Sequence, residues 1–407
     1  MFRKRCLVCD SPRLTAILDL GIQPLADTFI AEDDLSKADP AYPLTCDLCR
    51  ACGHVQTSCV TNPQDRYFRL HDYSYTSSNS SFARNHWQEY ADDLRRAGLQ
   101  TKSFVIEIGS NDGFLASQFL GMGHRVLGID ASNYMARLAR KRKIETVVAL
   151  FDKNVATVIR RKYGRARLLV ANNVFNHADS PADFLRGVSA LMEKDGMFVF
   201  EQPYWLSSIK GGKLDQIYHE HVSYFTVKSA RKLLQRIGLS IANVEEVNYH
   251  GGSLRVYATK GAATPSARKT VTMMIRREEE AGLFDPAKYR EVMAAAQSRR
   301  NAFLQRFYKL KQQGYSVIAV GAPAKGNTLL NYYRLDKTVV DFVTDASPHK
   351  QGKFTPLTRI PIVGDAVFKR FNKVCALVLS WNIVDIIKPK LLKINKGIRF
   401  ISPERED

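Results

Sequence analysis

From residue 104 onward the chain alternates short apolar segments with amphipathic ones, and this alternation constrains the fold more than any other feature. The apolar segments lack the every-second-residue polar pattern of half-exposed strands, which is typical of strands buried on both faces. Such strands form parallel sheets with helices on either side. We therefore expect a doubly wound sheet with strands at 104–110, 125–130, 145–150, 167–175 and 196–203.

The same pattern continues beyond this core and returns near the C-terminus. A helix at 227–239 and strands at 240–248 and 253–261 are expected to complete the first sheet. The composition of 262–269 predicts a linker, and a long charged helix should cover 285–314. A second, smaller α/β domain is then expected, with strands at 316–322, 339–345 and 374–381 and a helix at 324–333.

Five of the seven cysteines lie within the first 52 residues, and four of them form two C-x2-C pairs. Cys6 and Cys9 make the first pair, and Cys49 and Cys52 make the second. Two such pairs supply four thiolates for a tetrahedral zinc ion, each pair from one tight turn. Two disulfides are the alternative, which the lack of a secretory signal argues against. The sequence predicts a structural zinc site.

Charge and hydropathy limit the possible classes of protein. Lys and Arg number 60 against 40 Asp and Glu, which gives a net charge of +20 and raises the possibility of nucleic-acid binding. The excess is spread along the chain without a recognisable nucleic-acid module, so a basic surface or a phosphate-bearing small substrate is favoured. No stretch of 18 apolar residues occurs, so we expect a cytoplasmic protein with no membrane partner.

The loop EIGSNDG joins the first strand of the alternation to its first helix. Glycines at 109 and 113 allow the backbone to approach a ligand, and the helix N-terminus supplies unpaired N–H groups. The order of residues is not the G-x-G-x-x-G of dinucleotide sites; it favours the acidic-x-G-x-N-x-G loop of S-adenosylmethionine methyltransferases. Asp130, at the end of the next strand, is placed to bind two ribose hydroxyls. The predicted donor-binding residues in this region are Glu107, Gly109, Asn111, Gly113 and Asp130.

With these motifs in order, the chain resembles the sugar C-methyltransferases that act on nucleotide-linked 4-keto-6-deoxyhexoses. The resemblance runs nearly from end to end and is carried by LDLGIQPLADTFI, EIGSNDG, NNVFNHADS, FEQPY, YHEHVSYF, HGGSLR, GAPAKGNTLLNYY, KQGKFTP and LSWN. It implies three domains: a zinc-binding module at 1–65, an S-adenosylmethionine-binding class I methyltransferase domain at 66–262, and a Rossmann-like α/β domain for the nucleotide sugar at 263–407.

The segment YHEHVSYF, residues 218–225, is predicted to be an active-site segment. Methylation of carbon 3 requires a base for a proton that is acidic because carbon 4 carries a ketone, and donors for the enolate oxygen. The resemblance implies that His221 is the base, and that Tyr218 and Glu220 line the sugar pocket. A metal site is not expected, since His219 and His221 would point in opposite directions on an extended chain.

Further site residues follow from the same resemblance. His177 and Tyr75 match family residues near the sugar, although Tyr73 is an alternative to Tyr75. Asn172 and Asn173 are expected to contact the donor. The expected substrate-binding residues are His250, Ser253, Lys325, Asn327, Trp381 and Asn382, with packing at a strand end as the alternative for His250.

The predicted function is S-adenosylmethionine-dependent C-methylation of a nucleotide-linked 4-keto-6-deoxy sugar, at carbon 3 or, as in some relatives, at carbon 5. The competing prediction is a zinc-knuckle RNA methyltransferase or RNA-binding protein, which the net charge suggests. A second small-ligand domain favours the sugar enzyme. We therefore expect a nucleotide sugar as the partner, no nucleic acid and, as a working expectation, a monomer.

Overall fold

The computed structural model describes residues 1–66 and 76–401 of the chain. The helices are α1 Ser81–Arg96, α2 Phe114–Gly121, α3 Asn133–Lys141, α4 Lys153–Tyr163, α5 Pro181–Leu191, α6 Trp205–Lys210, α7 Val227–Arg236, α8 Pro265–Glu280, α9 Pro286–Gln312, α10 Ala324–Tyr332 and α11 Val384–Ile394. The strands are β1 Leu14–Pro24, β2 Ala41–Cys49, β3 Val55–Thr57, β4 Phe104–Ile108, β5 Arg125–Asp130, β6 Thr146–Val148, β7 Ala166–Asn172, β8 Met192–Pro203, β9 Ser223–Tyr224, β10 Ser240–Val247, β11 Ser253–Thr259, β12 Ser316–Val320, β13 Phe342–Thr344, β14 Ile362–Val363, β15 Val374–Val378 and β16 Arg399–Ile401.

The strands form three sheets, one for each predicted part of the chain. The N-terminal sheet has the order β1-β2-β3-β9, the central sheet β10-β11-β8-β7-β4-β5-β6, and the C-terminal sheet β14-β13-β12-β15-β16. Parallel pairing joins β4, β5, β6, β7 and β8, while β10 and β11 are antiparallel additions at one edge. The expected doubly wound class I methyltransferase core and the small second α/β domain are confirmed.

The parallel strands are apolar along their whole length because both faces are covered. All five residues of β4 and all five of β15 are buried. Helices α1 and α2 pack on one side of the central sheet, and α4 and α5 contribute to the core on the other. The carboxyl ends of β4, β5 and β7 therefore meet at one edge, where the loops that carry polar residues collect.

The linker predicted at 262–269 is wrong, because helix α8 begins within it at Pro265. The side chain of Thr264 accepts a hydrogen bond from the backbone N–H of Ala267, and proline occupies the first turn, where its missing N–H costs nothing. The residues whose composition indicated a linker therefore include the start of a helix. The buried residues Ala267, Val271 and Met274 then recur at helical spacing.

YHEHVSYF does not continue the central sheet. Only Ser223 and Tyr224 form a strand, and this strand pairs with β3 of the N-terminal sheet. The segment therefore ties the cysteine-containing module to the carboxyl edge of the methyltransferase domain. Among the described residues, no helix is both long and apolar enough to cross a membrane.

Candidate active site

The donor loop, residues 109–113, is held in a tight turn at the end of β4. Gly109 has a φ of 72°, and a Cβ placed on it would lie 2.8 Å from the Cβ of Val174. Its N–H donates to the carbonyl of Ile129 at 2.7 Å. Glycine is thus required both by the backbone conformation and by the close approach of the loop that follows β7.

Asp130 lies at the end of β5 beside this loop, as predicted. Its two carboxylate oxygens accept hydrogen bonds from the backbone N–H groups of Asn111 and Ser132, each at 2.8 Å. A carboxylate has about four lone-pair positions, so each oxygen keeps capacity for a ligand hydroxyl. Burial raises the pKa of Asp130 above its usual value. The geometry fits the ribose of a bound nucleoside.

Glu107 is a buried residue of β4, two positions before Gly109. Its side chain is 6% exposed, and one carboxylate oxygen accepts a hydrogen bond from the N–H of Ala116 in α2 at 2.9 Å. Burial raises the pKa of Glu107 well above its usual value. Glu107 therefore holds the start of α2 against β4.

The segment just before α1 crosses the donor loop. The N–H of Ser77 donates to the side-chain oxygen of Asn111 at 2.8 Å, and the hydroxyl of Ser77 donates to Asp112 at 2.6 Å. Ser78 also donates to Asp112, and Arg142 contacts Ser78 and Asp112. Residues 77 and 78 thus cover one side of the loop. Tyr75 and its neighbour Tyr73 lie outside the described residues.

Asn172 ends β7 and Asn173 follows it, and both are tied to Glu201 at the end of the neighbouring strand β8. The side-chain oxygen of Asn172 accepts the N–H of Glu201 at 3.0 Å, and the N–H of Asn173 donates to the carbonyl of Glu201 at 2.7 Å. Glu201 is fully buried, with its carboxylate between His86 at 2.7 Å and Arg255 at 2.8 Å. This ion-pair network fixes the ends of β7 and β8.

Two of the predicted catalytic histidines meet at this edge. The rings of His177 and His221 lie edge to face with centroids 4.9 Å apart. Burial lowers the pKa of both, that of His221 to about 4 and that of His177 well below its usual value. Two neutral imidazoles in contact, His221 buried and His177 partly exposed, are a suitable arrangement for accepting and donating a proton.

The hydrogen bonds of His221 define its tautomer. Its Nδ1 lies 2.9 Å from the carbonyl oxygen of Gln216, and its Nε2 lies 2.6 Å from the hydroxyl of Tyr218. A carbonyl only accepts, so Nδ1 carries the hydrogen and Nε2 has the free lone pair, which accepts from Tyr218. The basic nitrogen and the phenol therefore form a hydrogen-bonded pair.

Glu220 is buried on the other side of this segment. One of its carboxylate oxygens accepts the N–H of Asp27 at 3.3 Å, and the other has no hydrogen-bond partner among the described residues. Burial raises the pKa of Glu220 to about 7. The ring of His219 instead contacts the carbonyls of Pro24 and Pro43, each at 3.3 Å, in agreement with a packing role.

The second α/β domain reaches the same region through its strand ends. The Nζ of Lys325 lies 2.7 Å from the side-chain oxygen of Asn382 and 3.9 Å from the ring centroid of Trp381. Trp381 donates from Nε1 to Asp215 at 2.6 Å, in the segment that leads to Tyr218. Burial and the nearby Lys325 lower the pKa of His250 to about 3. His250 and Lys325 therefore face one region from two domains.

Two predicted substrate-binding side chains lie in the interior, and this corrects their placement. The hydroxyl of Ser253 is fully buried and donates to the carbonyl of Tyr249 at 3.0 Å. The side-chain amide of Asn327 is 1% exposed and donates to the carbonyl of Ala26 at 2.6 Å. The reason is packing: Ser253 begins β11, and Asn327 fastens α10 to the N-terminal module.

The four predicted cysteine ligands come together. Their sulfur atoms all lie within 4.8 Å of one another, with 3.6 Å between Cys6 and Cys52 and 3.5 Å between Cys9 and Cys49. Tetrahedral zinc–thiolate bonds place sulfurs about 3.8 Å apart, so the spacing fits such an ion. Cys46, Cys59 and Cys375 are buried outside this cluster.

Several contributors were missed by sequence reasoning. Gln216 sets the tautomer of His221 through its main-chain carbonyl, and Asp27 contacts Glu220 through its main-chain N–H. Glu201 and His86 pair across 115 residues of sequence. A contact made by a main-chain group does not depend on the residue type, so the sequence does not indicate it. Two residues this far apart in sequence form no recognisable spacing pattern.

Family models cover most of the chain in three consecutive pieces. Residues 6–67 match "Putative zinc binding domain", residues 82–244 match "Methyltransferase domain", and residues 248–403 match "C-methyltransferase C-terminal domain". The three matches follow the order of the three sheets.

Solved structures resemble less than half of this chain, and only weakly. Magnesium protoporphyrin IX methyltransferase (ChlM) from Synechocystis PCC 6803 with bound SAM is 14% identical, with a TM-score of 0.35 over 44% of this chain and 79% of that one. The ribosomal protein L11 methylase from Lactobacillus delbrueckii subsp. bulgaricus is 15% identical, with a TM-score of 0.31 over 45% and 81%. These scores are too low to support conclusions about function.

A curated relative matches almost end to end. C-methyltransferase NovU from Streptomyces niveus is 31% identical over 400 residues, which is 98% of this chain and 94% of the relative. The match includes all three of the parts described above. With this identity across nearly the whole of both proteins, the chain belongs to the family of S-adenosylmethionine-dependent C-methyltransferases.

Proposed function

We propose that the protein methylates a carbon atom of a nucleotide-linked 4-keto-6-deoxy sugar, most simply carbon 3, next to the ketone. The observation that carries this proposal is the hydrogen-bonded Tyr218–His221 pair with His177 beside it, at the carboxyl edge of the donor sheet. A neutral imidazole that is hydrogen-bonded to a phenol is suited to remove a proton from a carbon next to a carbonyl group. Methylation of oxygen or nitrogen would not require an enolate donor beside the base.

In this reaction S-adenosylmethionine supplies an electrophilic methyl group. The chain's part is to remove the carbon 3 proton and to stabilise the charge that forms. His221 accepts the proton at Nε2, because Nδ1 is committed to the carbonyl of Gln216. The Tyr218 hydroxyl, which donates to Nε2 in the unliganded protein, turns to the sugar's carbonyl oxygen when the substrate binds, so that the Nε2 lone pair is open to the proton. Tyr218 and His177 then donate to the enolate oxygen, which is an electrostatic contribution of the oxyanion-hole kind.

The low pKa of His221 bears on this role. With a pKa of about 4 the imidazole is a weak base in the unliganded protein. An anionic diphosphate and a developing enolate nearby both favour the protonated form and so raise the pKa. Transfer of the carbon 3 proton to His221 is then favourable only when the substrate is bound, which limits unproductive proton transfer.

Glu220 completes the sugar pocket in this proposal. Its second carboxyl oxygen, which is buried and has no hydrogen-bond partner in the part of the chain that the structure describes, is suited to accept one hydrogen bond from a sugar hydroxyl or donate one to it. With a pKa of about 7 it changes protonation state within the neutral range.

The donor and the nucleotide would be bound by different sheets. Asp130 and the loop 109–113 are proposed to hold the nucleoside of the donor, and Lys325, Trp381 and Asn382 the diphosphate end of the substrate. Lys325 at the start of α10 combines a cation with helix N–H groups, which favours phosphate.

We also propose that Cys6, Cys9, Cys49 and Cys52 bind zinc. Four thiolates close the coordination shell and leave no position for substrate, so the ion has a structural role. The support is the clustering of the four sulfurs at tetrahedral spacing.

The experiment that tests the function uses a trideuteromethyl donor with thymidine-diphospho-4-keto-6-deoxyglucose, and short RNA in a parallel reaction. We expect a labelled sugar whose methyl group is bonded to carbon and is stable to acid hydrolysis. Label in RNA, or label on a sugar oxygen, would contradict the proposal.

A further inference from the structure

The C-terminal sheet repeats the central part of the methyltransferase sheet strand for strand. The order β6-β5-β4-β7-β8 in the central sheet corresponds to β14-β13-β12-β15-β16 in the second, and every neighbouring pair in both series is parallel. The sequence shows no repeat. The correspondence makes β12 the counterpart of β4, β13 of β5, and β15 of β7.

The loop after the first strand of each series is closed in the same way. Gly109 and Gly321 follow β4 and β12 with φ values of 72° and 84°. The N–H of Gly109 donates to Ile129 at 2.7 Å, and that of Gly321 donates to Thr344 at 2.7 Å. A Cβ on Gly321 would collide with Ser380 in the loop after β15, as one on Gly109 would with Val174 after β7.

The carboxylate that ends the second strand also recurs. Asp130 follows β5 and accepts two backbone N–H groups at 2.8 Å, one from the neighbouring loop and one from two residues further on. Asp345 follows β13 and accepts the N–H of Ala322 in the neighbouring loop and that of Ser347, both at 2.8 Å. The two aspartates thus occupy the same position with the same contacts.

The two sites differ where their ligands would differ. Helix α2 begins five residues after Gly109, whereas α10 begins three residues after Gly321, and Lys325 lies in its first turn. After β15, Trp381 and Asn382 follow Ser380, whereas in the central sheet Asn172 and Asn173 come before Val174. A shorter loop with a cation suits a nucleotide with phosphates; a sulfonium donor carries none.

We propose that Asp345 accepts a hydrogen bond from a ribose hydroxyl of the substrate's nucleoside diphosphate, as the C-terminal counterpart of Asp130. The inference rests on the proposed function in that the substrate is nucleotide-linked. Asp345 is partly exposed, and its two N–H bonds leave lone pairs for a hydroxyl. Lys350 donates to the carbonyl of Ala322 at 2.7 Å and holds the loop against the end of β13.

The test compares thymidine diphosphate with the analogue that lacks its 3′-hydroxyl, by calorimetry on the full-length protein. In the wild type we expect the analogue to bind about ten-fold or more weakly, as is usual for a lost hydrogen bond to a charged acceptor. Asp345→Asn should lower the affinity for thymidine diphosphate to a similar extent, so that this variant binds both ligands nearly equally.

A matched control lies at the other end of the same strand. Asp341 precedes β13 and accepts the N–H of Val317 at 2.7 Å, so Asp341→Asn removes the same charge and a comparable backbone contact away from the ligand edge. Asp341→Asn should show the same ratio of affinities for thymidine diphosphate and its 3′-deoxy analogue as the wild type. Asp345→Ser, which retains an acceptor for one backbone N–H, serves if Asp345→Asn does not fold.

The outcomes separate the two proposals. Equal binding of both ligands by the wild type, or an unchanged ratio in the Asp345 variants, overturns the role of Asp345 and leaves C-methylation intact. No binding of thymidine or uridine diphosphate at all would overturn the nucleotide-linked substrate as well. If the wild type distinguishes the two ligands but transfers no methyl group to the keto sugar, the proposed reaction is overturned and the role of Asp345 stands.

Discussion

A single imidazole shows how main-chain groups define chemistry in this protein. The carbonyl of Gln216 receives the hydrogen on Nδ1 of His221, so Nε2 is the nitrogen that meets Tyr218. Substitution of Gln216 would leave that carbonyl in place. Orientation of the base is thus a property of the chain path between α6 and β9, not of any one side chain.

Glu220 should give the protein a pH-dependent stability. Its folded pKa of about 7 lies above the ordinary value of 4.5, so its contribution is fully present below pH about 4.5 and is lost as the pH rises through about 7. Glu220→Gln does not titrate. We expect wild type to lose stability relative to this variant between those two pH values, measured by urea unfolding.

The exposed Glu279 gives the control for that measurement, because it pairs with Lys228 at 3.0 Å on the surface. Glu279→Gln should follow the wild-type pH profile. A constant difference between wild type and Glu220→Gln at all pH values would refute the raised pKa.

Asp130→Ala should weaken binding of the methyl donor without unfolding the domain. The change removes a carboxylate that can accept ribose hydroxyls, and each such bond contributes about 1–3 kcal/mol. We expect calorimetry to show a loss of at least about ten-fold in affinity for S-adenosylmethionine. Affinity equal to wild type would contradict the assignment of this residue.

At the scale of elements, the cysteine turns behave as local units that the sequence predicts well. The N–H of Gly53 returns to the carbonyl of Cys49 at 2.9 Å, and the N–H of Asp10 returns to Cys6 at 2.9 Å. Each turn places two sulfurs on the same side. Short-range spacing is therefore sufficient to find the cluster.

Cys49→Ala should release the metal and destabilise the N-terminal sheet, since Cys49 is also the last residue of β2. We expect elemental analysis to show about one zinc per wild-type chain and none in the variant, with a lower melting temperature. Cys46→Ala, in the same strand but outside the cluster, is the control that should retain zinc. A variant at Cys49 with full metal content would show that the ligand set is wrong.

Longer-range features were less accessible from the sequence. Parallel strands were recognisable because burial on both faces makes them continuously apolar, as in β4 and β15. The start of α8 was missed because Thr264-Pro265 is used both in linkers and at helix N-termini. The pairing of Ser223–Tyr224 with β3 depends on contacts across more than 160 residues of sequence, and no local pattern encodes it.

For the whole molecule, the three sheets converge on the segment that carries Tyr218 and His221. The N-terminal module touches it through Asp27, and the C-terminal domain through the bond from Trp381 to Asp215. In the proposed reaction, two ligands bound by separate sheets would meet beside His221, and such positioning contributes much of the rate in reactions between two substrates.

The most direct test of the account is exchange of the carbon 3 hydrogen of the keto sugar with solvent deuterium, followed by NMR in the absence of methyl transfer. We predict exchange with the wild type and its loss in His221→Ala, together with a fall in turnover of about 10²–10⁴-fold while both ligands still bind. His177→Ala should exchange more slowly but measurably. Exchange that persists in His221→Ala and disappears in His177→Ala would contradict the account and make His177 the base.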